Sequence, residues 1–330
     1  MDAFTVCDVT HLVPIFGTHL TFSPEQNVET LLTELLALKE HGLTSLRWRL
    51  SWNDVFPQQG KPSGKHLELL EGHASAFADA GIETWVTLCG TTLPRWFLNE
   101  GAFSDNKATE KWWPRYVDTV AEVVGNHVAG WMPFEAPIAL VHDGWRVGTI
   151  APFVSDDGKF ADAFTNVLHS WNHACRLLHG SPIALSLDAT HPGANAEVRT
   201  VWQSAITRGR VSLPGHYERE LDGLLRSADE IALSLTHLPP RGERLEPPRW
   251  RDQAIETLQW AYEAFSGTPL SISGIPATSA DGELTELLSF TSQMVDDLKS
   301  DGLALQHVWM SSLERTAGLT SLPAFSSLTK

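Results

Sequence analysis

The feature that most constrains this chain is an alternation. Short apolar runs rich in β-branched or aromatic residues recur near 15–21, 44–51, 84–89, 128–134, 182–188, 230–236, 269–273 and 304–311. Between most of them lie stretches with helical periodicity. From Glu25 to His41, apolar side chains fall at Val28, Leu31, Leu32, Leu35, Leu36 and Leu38, the spacing of one helical face. Ser23 and Pro24 give start signals, and Gly42 stands where a left-handed residue closes a helix. The pattern returns at His66–Ala80, Lys111–Val124, Phe160–Leu178, Gln253–Phe265 and Leu284–Leu298. Parallel strands need a crossover helix between them, so strand-helix alternation implies a parallel sheet. Eight such strands imply closure. The expected fold is α/β, a single (β/α)8 TIM barrel over residues 1–330. Only 190–228 and 238–250 read as irregular, the second for its Pro239, Pro240, Arg241, Pro247 and Pro248.

Length fits that fold, since such barrels run to about 250 residues or more as one unit. A hydrophobic fraction of 42% supplies ample core. The net charge of −16, spread along the chain, argues against nucleic-acid and anionic-membrane partners. Cys7, Cys89 and Cys175 are odd in number and widely spaced, which indicates neither a disulfide framework nor a CxxC metal site. Residues 1–23 lack a basic start and an unbroken apolar run, and no run reaches the roughly 20 residues of a membrane span. A cytoplasmic protein with a small-molecule ligand and neither cofactor nor metal is therefore expected.

Active sites of such barrels sit at the C-terminal ends of the strands. That rule selects His19, Thr21, Arg47, Trp52, Thr91, Glu135, Asp188, His191, His237, Ser273, Trp309 and Glu314. Arg47 lies inside a strand pattern, where a guanidinium needs a carboxylate or a ligand. Glu135 is its nearest expected partner. Two roles stay open for Glu135: a salt bridge, or a general acid/base whose pKa is raised by apolar neighbours. Asp188 and His191 read either as an acid/base pair or as a turn ahead of Pro192-Gly193. His169 and His173 have a metal-binding spacing but are expected to pack as part of a helix. Among the 13 tryptophans, Trp52, Trp145 and Trp309 are expected on a cleft wall.

Several segments carry a resemblance. Trp131-Met132-Pro133-Phe134-Glu135-Ala136-Pro137 is similar to the Trp-x-Thr-Phe-Asn-Glu-Pro signature of family 1 glycoside hydrolases. Leu46-Arg47-Trp48-Arg49-Leu50-Ser51-Trp52 with Phe56-Pro57 resembles that family's Tyr-Arg-Phe-Ser-Ile-Ser-Trp…Phe-Pro. Further matches, in family order, are Thr84 to Pro94, Gly144 to Pro152, Pro269 to Ile275 and Val308 to Leu313. The resemblance implies the barrel fold, and it places the family's acid/base on Ala136, its nucleophile on Gly274 and its substrate-binding His on Gly90. Arg47, beneath the nucleophile in the family, and Trp309, a sugar-stacking floor there, are kept. Retaining hydrolysis needs two carboxyl groups about 5 Å apart, and Ala and Gly supply neither.

The expected function is accordingly a barrel repurposed for non-hydrolytic acid/base chemistry on a specialised small molecule. Glu135, Arg47, Asp188 and His191 are its catalytic candidates. Trp309, Trp52, His19, Thr91, His237 and Glu314 are its binding candidates. Two alternatives stand beside it: a non-catalytic sugar-binding protein, and a hydrolase with relocated carboxylates.

Overall fold

A computed structural model describes residues 14–21, 26–213, 218–220, 228–238, 245–276 and 281–312. Glu314, Ser23 and Pro24 lie outside them. Eight parallel strands form one sheet: β1 Ile15–Thr21, β2 Leu43–Arg49, β3 Glu83–Cys89, β4 Gly130–Phe134, β5 Ala184–Leu187, β6 Glu230–Ser234, β7 Leu270–Gly274 and β8 Leu305–Ser312. β1 pairs with both β2 and β8, and the order runs around to β5 beside β6. The ring closes at Trp131, which bridges to Ile183 and donates its N–H to the Pro182 carbonyl at 2.9 Å. The expected (β/α)8 barrel is the fold observed.

The longer crossover helices are α1 Val28–Glu40, α2 Gly64–Asp79, α3 Asn106–Val124, α4 Asp157–Leu177, α5 Ala196–Arg208, α6 Pro247–Ala264 and α7 Asp281–Ser300. Asn27 caps α1, accepting from the Glu29 N–H at 2.7 Å. Gly42 closes that helix with φ 89° as expected. The region 190–228 was expected to be irregular, and α5 corrects that. Its buried Val198, Val201, Trp202, Ala205 and Ile206 repeat at helical spacing between an Asn195 cap and a left-handed Gly209. The prolines near 247 are not a loop either: Pro247 and Pro248 open α6, where a missing N–H costs nothing. Among the described residues, no helix is long and apolar enough to cross a membrane.

Strand alternation sorts β2 cleanly. Leu46 and Trp48 join the core between sheet and helices, while Ser45, Arg47 and Arg49 take the other face. Inside the barrel, Trp85, Met132, Ala184, Ala232 and Trp309 from five strands pack as one cluster. At the N-terminal ends of the strands lies a buried ionic group. His307 reaches Glu230 through Nδ1 at 3.0 Å and Glu83 through Nε2 at 2.9 Å. Ser271 also donates to Glu230, and Trp85 donates to Glu83. With an acceptor on each ring nitrogen, His307 is held as the imidazolium. Its pKa reflects a contest in which burial lowers it and the two glutamates raise it, to about 9. Function in barrels sits at the opposite end, so this group belongs to stability.

Candidate functional site

The C-terminal ends of the strands surround a cavity of about 400 Å³. It is walled by ends of β1, β2, β4, β6, β7 and β8 and by Asp188, which follows β5. Glu135 occupies its wall between two guanidinium groups. Arg47 donates to Oε1 at 3.2 Å, and Arg49 donates to Oε2 at 2.5 Å. Arg49 also donates to the Thr21 hydroxyl at 2.8 Å, which ties β1, β2 and β4 together at this end. The expected Arg47–Glu135 pair is therefore present, with a second arginine that was not expected. Its signal was in the sequence. Arg49 stands two residues from Arg47 on one strand, and period-two geometry puts both on one face.

The proposed raising of the Glu135 pKa is corrected by this geometry. Burial does push the carboxyl upward, but Arg47 and Arg49 together outweigh it and leave the pKa below its ordinary value. An acid this strong stays ionised near neutrality and protonates nothing well. Arg47 itself is pulled down by burial and held up by Glu135. Beside them the Cys89 thiol is pushed far above its usual range by burial, and so is no nucleophile.

Asp188 is buried at the cavity wall with its oxygens already engaged. Oδ1 accepts from the Ile138 N–H at 3.0 Å and Oδ2 from the Ala139 N–H at 2.7 Å. These are the first free donors of the short helix Pro137–Val141, whose own cap position is Ala136. Asp188 thus caps from the next strand a helix that Ala136 cannot cap. Burial raises its pKa to about 6, against the two N–H groups that favour the carboxylate. Asp188→Ala leaves both donors without that acceptor, and the expected loss is about 1–2 kcal/mol in chemical denaturation. An unchanged midpoint would show that the cap carries no stability.

Asp188 and His191 do not pair through their side chains among the described contacts. They are joined by a turn, the His191 N–H donating to the Asp188 carbonyl at 3.0 Å. His191 Nδ1 accepts from the Gly193 N–H at 3.0 Å, which leaves Nε2 to donate to Asp143 at 3.2 Å. His142 Nδ1 meets the other Asp143 oxygen at 2.8 Å. His142, Asp143 and His191 lie close enough to share an ion. The tautomer works against it, because a neutral His191 that accepts at Nδ1 keeps its proton on Nε2 and has no lone pair there for a metal. His169 and His173 are half-buried on α4, as expected of packing residues.

His19, His237, Ser273, Ala136 and Gly274 line the cavity with Arg47, Arg49, Glu135 and Asp188. The expected aromatic wall is not there. Trp309 is fully buried in the barrel interior, stacked on His307 and donating to the Ser45 hydroxyl at 3.1 Å. Trp52 lies in an outer aromatic cluster, 4.8 Å from Tyr116 and stacked on it. Trp145 is buried too, and Thr91 is half-buried away from the cavity lining. Large apolar rings were drawn to the two cores, where their burial is worth most. Among the described lining residues there is no tryptophan.

A closed eight-stranded barrel with a cavity at the C-terminal strand ends is the arrangement of the (β/α)8 class. Residues 28–202, just over half of the chain, match the model of Glycosyl hydrolase family 1. The chain belongs to glycosyl hydrolase family 1. Among curated relatives, β-glucosidase A of Acetivibrio thermocellus is 25% identical over 168 residues, covering 49% of this chain and 37% of that protein. β-Glucosidase 25 of Oryza sativa subsp. japonica is 28% identical over 117 residues, covering 35% and 23%. Human Klotho is 23% identical over 163 residues, covering 46% and 16%. The chain thus matches well under half the length of each of these relatives. Among solved structures, a β-glycosidase from Pyrococcus horikoshii superposes with a TM-score of 0.72 at 19% identity, covering 90% of this chain and 84% of that one. A family 1 β-glucosidase from Thermotoga maritima, in complex with isofagomine lactam, gives 0.71 at 15% identity, covering 87% and 77%.

Proposed function

We propose that this family member does not hydrolyse glycosides by the retaining route, and that its barrel mouth holds a small polar ligand. One observation carries the reading. Ala136 and Gly274, where the resemblance puts the two catalytic glutamates, both line the cavity and bring no carboxyl to it. Glu135, the glutamate among the described lining residues, is held as a carboxylate by two arginines. A double displacement needs a nucleophile and a group that is first acid and then base. The cavity's size, about 400 Å³, falls in the range of roughly 300–1,000 Å³ common for small-molecule sites.

A second reading is non-hydrolytic acid/base turnover of the same ligand. It is favoured by Asp188, whose pKa of about 6 is near that of a working acid/base. On this reading Asp188 takes the role first expected of Glu135.

The test is a panel of p-nitrophenyl β-glycosides, run beside equilibrium binding of the parent monosaccharides. We expect release of nitrophenol no faster than in buffer. Turnover in the usual range of about 1–1,000 s⁻¹ would overturn the reading and point to relocated carboxylates. A sugar that binds and is recovered chemically altered would favour the second reading over simple binding.

A further inference from the structure

We propose that the cavity recognises its ligand through an anionic group, a carboxylate or phosphate, held by Arg47 and Arg49 in the space beside Gly274. This rests on the reading that the cavity binds a small polar molecule instead of hydrolysing a glycoside.

Three observations point the same way. The first is charge. Two guanidinium groups sit at one cavity wall, and Glu135, which bonds to both, sets a single negative charge against their two positive ones. Asp188, the other carboxyl in the wall, is answered by the Ile138 and Ala139 N–H groups. Each arginine has five N–H donors in a fork that matches carboxylate and phosphate geometry. The bonds described above spend one of these on Arg47 and two on Arg49. In a chain of net charge −16, a buried Arg47 and a half-exposed Arg49 side by side at one cavity wall favour an anionic ligand over a neutral one.

The second observation is space. A carbon added at Gly274 would meet only the Thr236 Cγ2 within 4 Å, at 3.2 Å. The space beside Gly90 is already taken, by Arg49 Cδ at 3.2 Å and Glu135 Oε2 at 3.3 Å. The room for a ligand's charged group is therefore on the Gly274 side. There it would stand in for the side-chain carboxyl that the glycine lacks.

The third is the lining itself. Beside the apolar Ala136, Ile275 and Met310 it offers arginine, serine and histidine groups, without a tryptophan face for a neutral sugar ring.

Calorimetric titration at low salt with glucuronate, glucose 6-phosphate and glucose tests this. Either anion should bind about ten- to a hundredfold tighter than glucose, the gain expected of charge-assisted hydrogen bonds. Tighter glucuronate identifies a carboxylate ligand, and tighter glucose 6-phosphate a phosphate. Gly274→Glu puts a carboxylate into the slot and should erase the preference, with circular dichroism unchanged. Arg49→Gln, at a half-exposed position, serves the same end if the glutamate variant does not fold. Glucose binding as tightly as both anions overturns the inference and leaves the broader reading standing. A preference that survives both variants also overturns it, as does the absence of binding by either anion. Hydrolysis of the nitrophenyl panel is what overturns the broader reading.

Discussion

Arg47→Met is expected to destabilise the barrel by about 3–5 kcal/mol, the usual cost of breaking a buried ion pair from one side. Arg47 is 6% exposed, so its removal takes a buried partner from Glu135. The loss should reach the lower figure because Arg49 still holds Oε2. Removing both partners, in Arg47→Met with Glu135→Gln, should recover part of the loss, since no buried charge is then stranded. Chemical denaturation of the four proteins in this cycle gives the coupling directly. A single variant as stable as the parent would mean that the pair contributes nothing, and that the buried arginine is tolerated for another reason.

The second large effect is a loss of stability in alkali. His307 has a folded pKa of about 9, against about 6.5 for an unperturbed histidine. A raised pKa means that the folded state binds the proton more tightly. The stabilisation is complete below the unfolded value and is lost as pH rises through about 9. The difference amounts to something on the order of 3 kcal/mol. Glu83 works in the opposite sense. Its pKa is lowered, first by its hydrogen bond to His307, so its contribution is present above the usual glutamate range and fades as pH falls through the folded value. The fold should be most secure between these limits. Denaturation midpoints of the parent and of His307→Gln, compared from pH 6 to pH 10, separate this histidine from the lysines and tyrosines that titrate nearby. The parent should lose stability more steeply than the variant above pH 8. Parallel curves would remove His307 as the cause.

The two ionic groups divide the barrel between stability and function. The Glu83–His307–Glu230 cluster locks the N-terminal ends of β3, β6 and β8 around a buried layer of tryptophan and methionine. The Arg47–Glu135–Arg49 group does something similar for β2 and β4 at the other end, but beside an open cavity. The upper group is thus a structural tie and, on the proposed function, also the surface a ligand would meet. A mutation there will change binding and stability together, so the two must be measured side by side.

What the sequence determined by itself is the architecture. Eight apolar runs separated by helical periodicity admit little besides a closed parallel barrel, because burial on both faces of a sheet is written directly into the spacing of apolar residues. The Arg47–Glu135 pair was legible for a similar reason, since a charge inside a strand must be answered. That Ala136 and Gly274 stand where the resemblance puts the two catalytic glutamates needed only the motifs. The α5 helix was missed: its apolar spacing is in the sequence, but the glycines and prolines around it made the region read as irregular.

Only the tertiary structure decided which side chains face the cavity. Met132 lies in the barrel interior, yet Phe134, two residues on, stacks on Trp113 in the outer core at 4.8 Å. Alternation fails at that strand end, and Glu135 turns to the cavity. Trp52 and Trp309 looked like cleft walls and proved to be packing, because nothing local separates a tryptophan that meets a ligand from one that meets a neighbouring strand. The protonation of Glu135 was the least legible of all. Its sequence neighbours are apolar and argue for a raised pKa, while the arginines that lower it come from β2, a strand 86 and 88 residues away along the chain. Electrostatic balance depends on distance in space, and sequence spacing carries that information only within one element.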